Sequence, residues 1–368
     1  MLRRPLAVSI ALCLLLLPAA ASAAALREEE VRIPWIKAPG GLDALIVSID
    51  LPGKRPLVVM THGSSREAAE QREVTPWQFL PQAVWFARRG FVVVVVVRRG
   101  YGSSGGEPDY AGTGHCPHTD YQQASENAAE DMQRAIDYGI QLPDVDPTRV
   151  LAIGKSTGGM ATVALTAHAP KNLVAAINFA GGRGSRADRD VCNPDSLVSA
   201  YRSFGKHSRV PMLWIYAEND KYFWPELAQR FDAAFRDGGG QDQFIEAPAF
   251  GDDGHMLYNR GVEIWTPMVD AFLKAQNLVL LPEPLPEPAP PNIPPPPGLS
   301  DRGQEGFRRY LTLGPHKAFA MSAHHFAFVV AQRNPEDAAK KALQDCNRNA
   351  SASGESCRVV FADNAPTN

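Results

Sequence analysis

The segment GKSTGG at residues 154–159 carries residue types that could perform two unrelated chemistries. Its first four residues match the end of a phosphate-binding loop, G-x-x-x-x-G-K-[ST], and its first five match G-x-S-x-G, the turn that presents a nucleophilic serine. The phosphate-binding loop requires a glycine five positions earlier, where this chain has Arg149. Residues 150–153, VLAI, also predict a buried strand rather than a loop. The pattern therefore favours Ser156 as a nucleophile between a strand and a helix that begins near Thr157.

A serine nucleophile needs a general base, and the base needs an acid that orients it. In the fold that carries this turn, the chain order is serine, acid, histidine. After Ser156, Asp220 follows the apolar run VPMLWIYA, and His255 lies in the polar loop FGDDGHMLY. These positions predict Asp220 as the acid and His255 as the base. Three other acids remain open as alternatives, one in place of Asp220 and two as partners of His255: Glu218, Asp252 and Asp253.

The negative charge that develops on an attacked carbonyl oxygen needs backbone N–H donors. One donor is the amide directly after the nucleophile, that of Thr157, at the N-terminus of the predicted helix. The second is expected in the loop after an earlier strand, where VVMTHGSSRE places Ser64 behind Gly63. We therefore predict that Ser64 and Thr157 form an oxyanion hole. The alternative is an ordinary glycine turn in which His62 is hydrogen-bonded locally.

The elements that must position these residues alternate along the chain. Continuous apolar runs predict strands that are buried on both faces of a parallel sheet; they lie at 58–60, 91–97, 150–153, 174–179 and 212–217. Helical patterns lie between and after them, at 76–89, at 121–138, from residue 157 and from about residue 261. This alternation predicts a doubly wound, mostly parallel α/β domain.

The motifs THGSS, RRGYGSSGGEP, GKSTGG, YAENDKYF and GDDGH together resemble the α/β-hydrolase superfamily, and within it the exported dienelactone hydrolase-like group. The resemblance covers residues 43–275. It implies an α/β-hydrolase fold with Ser156 as nucleophile, Asp220 as acid and His255 as base. Dienelactone hydrolases typically use a cysteine nucleophile, so a serine favours ester or amide hydrolysis over lactone hydrolysis. The RGYGSSGG turn also resembles prolyl peptidase-like members, which keeps a peptidase as an alternative.

The first 23 residues have the organisation of a secretory signal peptide, with two arginines, an apolar run and a small-residue cleavage site at residues 21–23. The apolar run is too short to span a bilayer, and no later run is long enough. The whole chain has a net charge of −3, and removal of the two leader arginines makes the remainder more acidic. Such a chain lacks the basic surface of a nucleic-acid-binding protein. We therefore predict a periplasmic or secreted protein with no transmembrane segment and no nucleic-acid partner.

Four cysteines remain after the leader is removed: Cys116, Cys192, Cys346 and Cys357. An even number in an oxidising compartment predicts two disulfides, for which three pairings exist. In the resembled fold, the loops that carry Cys116 and Cys192 follow strands on either side of the nucleophile strand, so a bond between them would join two rims of one site. Cys346 lies near the end of a predicted helix and Cys357 begins a strand, which favours a second bond between them.

A proline-rich linker at residues 278–299, which includes LPEPLPEPAPPNIPPPPG, favours an extended, semi-rigid spacer. It separates an α/β-hydrolase domain at 24–277 from a small α+β domain at 300–368. In the small domain, HKAFAMS, HFAFVVAQ and SCRVVFAD predict strands, and NPEDAAKKALQDCNRN predicts a helix capped by Asn334, which gives a ββαβ module. Our hypothesis for its role is binding to an envelope component.

These observations predict an exported serine hydrolase that cleaves an ester or similar acyl bond of a small-molecule or peptide substrate through an acyl-enzyme. Two alternatives remain open: a prolyl oligopeptidase-like peptidase with the same three residues, and a non-catalytic envelope-binding protein. The chemistry implies no metal and no organic cofactor. Arg183 or Arg186, in the loop before Cys192, is a further candidate for binding an anionic substrate group.

Overall fold

A computed structural model describes residues 25–168 and 170–367 of the chain. The predicted signal peptide, residues 1–23, lies outside this part. Among the helices in these two ranges, none is both long and apolar enough to cross a membrane.

The larger part of the chain is built on an eight-stranded sheet. Up to residue 247, the described strands are β1 (Leu26–Trp35), β2 (Ala38–Ile49), β3 (Arg55–Thr61), β4 (Val92–Val96), β5 (Val145–Lys155), β6 (Leu173–Phe179), β7 (Ser185–Ala187), β8 (Asp190–Val191), β9 (Met212–Ala217) and β10 (Asp242–Ala247). The sheet order is β1-β2-β4-β3-β5-β6-β9-β10, while β7 and β8 form a separate hairpin. Within the eight-stranded sheet, β1 and β2 pair antiparallel, as do β2 and β4, and the remaining neighbours all pair parallel. This arrangement confirms the predicted α/β-hydrolase fold.

Helices cover both faces of this sheet. The helices of the larger part are α1 (Ala68–Gln71), which has no buried residue, α2 (Leu80–Ala87), α3 (Tyr121–Gly139), α4 (Thr157–His168), α5 (Pro194–His207), α6 (Pro225–Asp237), α7 (Leu257–Arg260) and α8 (Val262–Ala275). Helices α3, α4, α5 and α6 pack on one face of the sheet in a first apolar cluster, and α2 and α8 pack on the other face in a second. In β4, Val94 belongs to the first cluster and Val93 to the second, because successive strand residues point to opposite faces. Burial on both faces explains the continuous valine run of β4.

Sequence reasoning did not identify β1, β2, β10, α5 or α6. Strand β1 is rich in charged residues and mostly exposed, so it lacks the apolar run by which the central strands were recognised. The helix predicted over 76–89 is partly wrong, because Pro76–Phe79 forms a 3₁₀ turn and α2 begins at Leu80. For α5 a local signal was present, since Asn193 caps the helix and a proline occupies its first turn.

The C-terminal part contains α9 (Asp301–Thr312), β11 (Ala318–Met321), β12 (Phe326–Val329), α10 (Pro335–Ala350), β13 (Arg358–Ala362) and β14 (Ala365–Pro366). Its separate sheet is antiparallel, in the order β12-β11-β13-β14. The expected ββαβ order is present, with α9 and β14 in addition. Asn334 caps α10, since its side chain accepts a hydrogen bond from the backbone N–H of Asp337 at 2.8 Å.

The C-terminal part and the linker both contact the larger part. His316 Nε2 lies 2.6 Å from Glu28 Oε2 on β1, the strand at one edge of the large sheet. In the linker, the backbone N–H of Leu285 donates to the carbonyl of Arg88 at 2.8 Å, at the end of α2. At this point the linker therefore lies against the end of α2.

Candidate active site

Ser156 lies at the tip of the turn between β5 and α4. Its φ is +57°, a left-handed conformation that residues other than glycine rarely adopt, and the residue is only 4% exposed. Strand and helix approach so closely that a Cβ on Gly154 would lie 2.0 Å from the carbonyl oxygen of Gly158. A Cβ on Gly158 would lie 2.4 Å from the carbonyl oxygen of His62. Close packing therefore requires both glycines of the motif, and it holds Ser156 in its unusual conformation.

Asp220 and His255 form a buried, hydrogen-bonded pair. His255 Nδ1 lies 3.0 Å from Asp220 Oδ2 and 3.2 Å from Oδ1. An ionised carboxylate can only accept, so the tautomer that fits this contact donates from Nδ1 and has its lone pair on Nε2. Asp220 Oδ1 also accepts from the backbone N–H groups of Tyr222 and Phe223, at 2.8 and 2.9 Å. These bonds orient the carboxylate towards the imidazole.

The other acids that the sequence left open have different surroundings. Glu218 and Asp252 are exposed. Asp253 Oδ1 accepts from the backbone N–H of His255 at 3.0 Å, so it caps the turn that carries the histidine without bonding to its ring. Among these carboxylates, Asp220 is the one that the structure brings to the imidazole.

The nucleophile candidate and the acid lie at the same end of the sheet. Strands β5 and β9 are both part of its parallel portion, and Ser156 and Asp220 each follow the carboxyl end of their strand. Among the described residues, no hydrogen bond joins Ser156 Oγ to His255 Nε2. Catalytic hydrogen bonds of this kind are often long before substrate binds, so a reaction at this site requires the contact to tighten in the complex.

The loop after β3 packs directly on Ser156. A Cβ on Gly63 would lie 2.8 Å from Ser156 Cβ and 3.4 Å from its Oγ. The next residue, Ser64, has its Oγ 2.9 Å from Thr157 Oγ1, so the two predicted oxyanion donors are neighbours beside the serine. Within the described part of the chain, the backbone N–H groups of Ser64 and Thr157 donate to no protein group. Neither amide is therefore occupied by another group in that part of the chain.

A buried ionic network supports this loop. Arg98 and Arg183 both pair with Asp109, at 2.9 and 3.0 Å, and all three side chains are almost completely buried. Arg98 also donates to Thr157 Oγ1 at 2.9 Å. Burial alone would raise the pKa of Asp109, but the two arginines outweigh this effect and lower it, so the carboxylate stays ionised. The network thus fixes the Thr157 side chain at the start of α4.

Sequence reasoning missed Arg98 and Asp109 and suggested a different role for Arg183. Because Arg183 is buried and bonded to Asp109, it is not a free anion-binding group. Arg186 is exposed and pairs with Asp190 at 2.6 Å. The available signal was an arginine and an aspartate within the glycine-rich segment RRGYGSSGGEPDY, directly after a buried strand.

His62, in the same loop, makes local hydrogen bonds. Its Nε2 accepts from the backbone N–H of Arg98 at 3.0 Å, and its Nδ1 donates to the carbonyl of Gly63 at 2.6 Å. Burial, followed by the positive charge of Arg98, lowers the pKa of His62 well below its usual value, so the ring is neutral. The neutral ring therefore holds the loop that positions Gly63 against the serine.

Aromatic side chains pack around His255. Tyr222 stacks on the imidazole, with ring centroids 4.0 Å apart and planes inclined by 13°, and Phe223 contacts it edge-on at 5.7 Å. The Arg66 guanidinium lies 3.8 Å from the centroid of the Tyr222 ring and donates to Ser185 Oγ at 2.8 Å. The loop after β3, the loop after β9 and the β7–β8 hairpin therefore meet near the histidine. Sequence reasoning missed these contacts because they join segments that are far apart in the chain.

The structure contains two disulfides, Cys116–Cys192 and Cys346–Cys357. The first joins the loop before α3 to the start of α5, directly after the β7–β8 hairpin. The second connects α10 to the residue before β13. These are the two pairings expected from the sequence.

Comparisons with known proteins found one family model that matches part of the chain and several solved structures with a similar fold. The sequence model of the X-Pro dipeptidyl-peptidase (S15) family matches residues 40–203. No curated protein matches the chain. Among solved structures, a Klebsiella pneumoniae protein described as a candidate dienelactone hydrolase is 15% identical, with a TM-score of 0.47, over 69% of this chain and 99% of its own. The Est2 esterase of Thermogutta terrifontis is 19% identical, with a TM-score of 0.47, over 71% of this chain and 95% of its own. Dipeptidyl peptidase 4 of Porphyromonas gingivalis is 19% identical, with a TM-score of 0.49, over 69% of this chain and 35% of its own.

The strand order is that of an α/β-hydrolase fold, and the segment that matches the S15 family model lies within this fold. The matched segment is less than half of the chain. It includes the loop after β3 and the turn at Ser156 but ends before Asp220 and His255. The similarity to the S15 family is therefore carried by the nucleophile half of the site.

Proposed function

We propose that this protein is a serine hydrolase in which Ser156 is the nucleophile, His255 the base and Asp220 the acid. The observation that carries the proposal is the buried Asp220–His255 pair, 3.0 Å apart, at the same end of the sheet as a serine with a φ of +57°. A serine in that conformation is a strained residue of the kind that functional sites retain. The matched S15 family model over the serine turn gives independent support.

In the proposed reaction, His255 Nε2 takes the proton of Ser156 Oγ as the oxygen attacks the substrate carbonyl carbon. Asp220 keeps the imidazole in the tautomer that allows this and stabilises the imidazolium. The amides of Ser64 and Thr157 donate to the oxyanion. His255 then returns the proton to the leaving group, and the acyl-enzyme is hydrolysed by a water that the same histidine activates.

Within this reaction we propose an ester with a small acyl group as the substrate. The alternative peptidase, which the S15 match supports, would have to hold the free N-terminal ammonium of its substrate if it released dipeptides. That function needs an unpaired carboxylate near the serine. Among the described residues around the site, three exposed carboxylates are paired with arginines and are not free to hold an ammonium: Asp188 with Arg66, Asp190 with Arg186, and Glu226 with Arg189. Glu218 and Asp252 are exposed and have no arginine partner there, so they are the positions that such a peptidase would use. The near-complete burial of Ser156 also favours a small acyl group.

The test uses the chain from residue 24 with p-nitrophenyl acetate, p-nitrophenyl butyrate and an Ala-Pro p-nitroanilide. We expect hydrolysis of the esters, loss of that activity in Ser156→Ala, and little cleavage of the anilide. Ser208→Ala is a matched control, because Ser208 is equally buried but bonds to Thr166 Oγ1 between α5 and α4, away from the turn. Labelling by a fluorophosphonate, followed by peptide mass spectrometry, should locate the reactive serine at position 156.

An inert parent chain, or a Ser156→Ala variant as active as the parent, would refute the hydrolase. In that case the non-catalytic alternative would be preferred. Efficient cleavage of the anilide through Ser156 would instead assign the peptidase.

We further propose that residues 1–23 direct export and that residues 300–368 bind an envelope component. N-terminal sequencing of protein recovered from the periplasm or medium should begin at residue 24. Deletion of residues 300–368 should reduce the fraction that sediments with envelopes. Unchanged sedimentation would contradict the envelope-binding role.

A further inference from the structure

Lys155 is the residue of the GKST motif that the proposed reaction does not use. It precedes Ser156 and is almost completely buried. Among the described residues, the hydrogen-bond partner of its ammonium nitrogen, Nζ, is Met256 Sδ, at 3.8 Å. A thioether sulfur is a weak acceptor, so this ammonium is buried without a strong hydrogen bond. Burial of such a charge is costly, so a buried lysine directly before the candidate nucleophile indicates a role for its charge in the site.

Charged groups on three segments act on Lys155. Asp220, after β9, and Asp253, before His255, favour its protonated form, whereas Arg260 of α7 opposes it. Burial is the largest effect, and it lowers the pKa of Lys155 to about 8 in spite of the two carboxylates. With that pKa, most of the side chain is protonated at pH 7.

The contact between Lys155 and Met256 also has a defined place in the site. Lys155 is the chain neighbour of Ser156, and Met256 is the chain neighbour of His255. A single contact therefore joins the segment that carries the nucleophile candidate to the segment that carries the base candidate. The carboxylate of Asp220, which bonds the ring of His255, also acts electrostatically on this ammonium.

We propose that Lys155 is a positioning residue for the reaction proposed above, and that its charge balances Asp220 and sets the lower pH limit of activity. A cation near His255 disfavours a second positive charge on the imidazole. A neutral residue at position 155 moves the acid limb of the activity profile to higher pH.

The test measures kcat/KM for p-nitrophenyl acetate from pH 5 to pH 10. Lys155→Met and Lys155→Gln remove the charge in two ways, so that one variant remains informative if the other does not fold. Both should move the acid limb upward by about one pH unit, the shift expected for a unit charge at several ångströms in a partly screened site. Lys155→Arg retains the charge and should restore the parent profile.

Lys317→Met is the matched control. Lys317 is another buried lysine whose pKa is lowered to about 8, but it lies in the C-terminal part and donates to the carbonyls of Tyr310 and Leu313. Its substitution should leave the acid limb where it is in the parent. Thermal unfolding of every variant shows which of them are folded.

A folded neutral variant that loses the same fraction of activity at every pH would overturn the proposal, because packing alone would then explain the loss. This outcome differs from failure of the proposed function. An inert parent refutes the hydrolase, whereas an active, Ser156-dependent parent with unshifted variants refutes only the role of Lys155.

Discussion

Substitution of Gly63 by alanine tests whether the loop after β3 supplies an oxyanion donor. A Cβ at this position would lie 2.8 Å from Ser156 Cβ and 3.3 Å from the carbonyl oxygen of Lys155. Gly63 does not have a positive φ, so its backbone conformation is open to alanine. The effect of the substitution therefore comes from the overlap with Ser156 and not from backbone strain.

The overlap can be relieved only if the loop moves, because the atoms opposite the new Cβ belong to the backbone and the Cβ of the constrained serine turn. To bring the new Cβ and Ser156 Cβ to an ordinary van der Waals distance, the loop must shift by roughly 1 Å. The Ser64 amide moves with the loop. Loss of one oxyanion donor costs about 100- to 1,000-fold in kcat in enzymes of this type. We therefore expect kcat/KM of Gly63→Ala to fall by about 100-fold, with a loss of roughly 1–3 kcal/mol in the free energy of unfolding.

The assay is hydrolysis of p-nitrophenyl acetate together with chemical denaturation of the same samples. Gly139→Ala is the control, because its Cβ would lie 2.7 Å from Leu57 Cδ2 in the core between α3 and β3. The new contact is as short as that at Gly63 but lies away from the site, against the end of a side chain that can move, so kcat/KM should change little. A Gly63→Ala variant with at least half of the parent kcat/KM would refute the assignment of this loop to the oxyanion hole.

Three further predictions follow from the same contacts. Asp220→Asn should lower kcat by about 1,000- to 10,000-fold with the fold intact, because an amide no longer holds His255 in the required tautomer; a tenfold loss or less would assign the acid to another residue. Tyr222→Leu removes the ring that stacks on His255 and should lower kcat by about tenfold, whereas Tyr222→Phe keeps the stack and should retain most of the activity; equal losses would contradict a role for the ring. The hydrogen bond to Glu28 raises the pKa of His316, so the stability that this pair contributes is complete below about pH 6.5 and is lost as the pH rises through the raised value. The unfolding midpoint of His316→Gln should therefore lie below that of the parent at pH 6 and approach it at pH 9, and a constant difference would contradict the linkage.

The secondary structure that could be predicted is the part with a strong local signal. The buried strands were visible as apolar runs because a parallel strand covered on both faces has no polar side, as in β4. Strand β1 escaped prediction because it is mostly exposed and its charged residues conceal the alternation. Strand β2 was missed although most of its residues are buried. The turn at Ser156 was recognisable because its glycines meet a purely local need, close packing of a strand on the helix that follows.

The site divides in the same way between sequence and tertiary structure. By itself, the sequence predicted the strand–turn–helix at Ser156, the chain order of the three candidate residues and the α/β-hydrolase fold, because the turn and the buried strands are properties of short segments. Tertiary structure alone decided that Asp220, and not Glu218 or Asp253, bonds the ring of His255, since that choice depends on which side chain points from its loop towards another loop. It also decided that Arg183 is held by Asp109 in a buried network, because that pairing joins residues 74 positions apart.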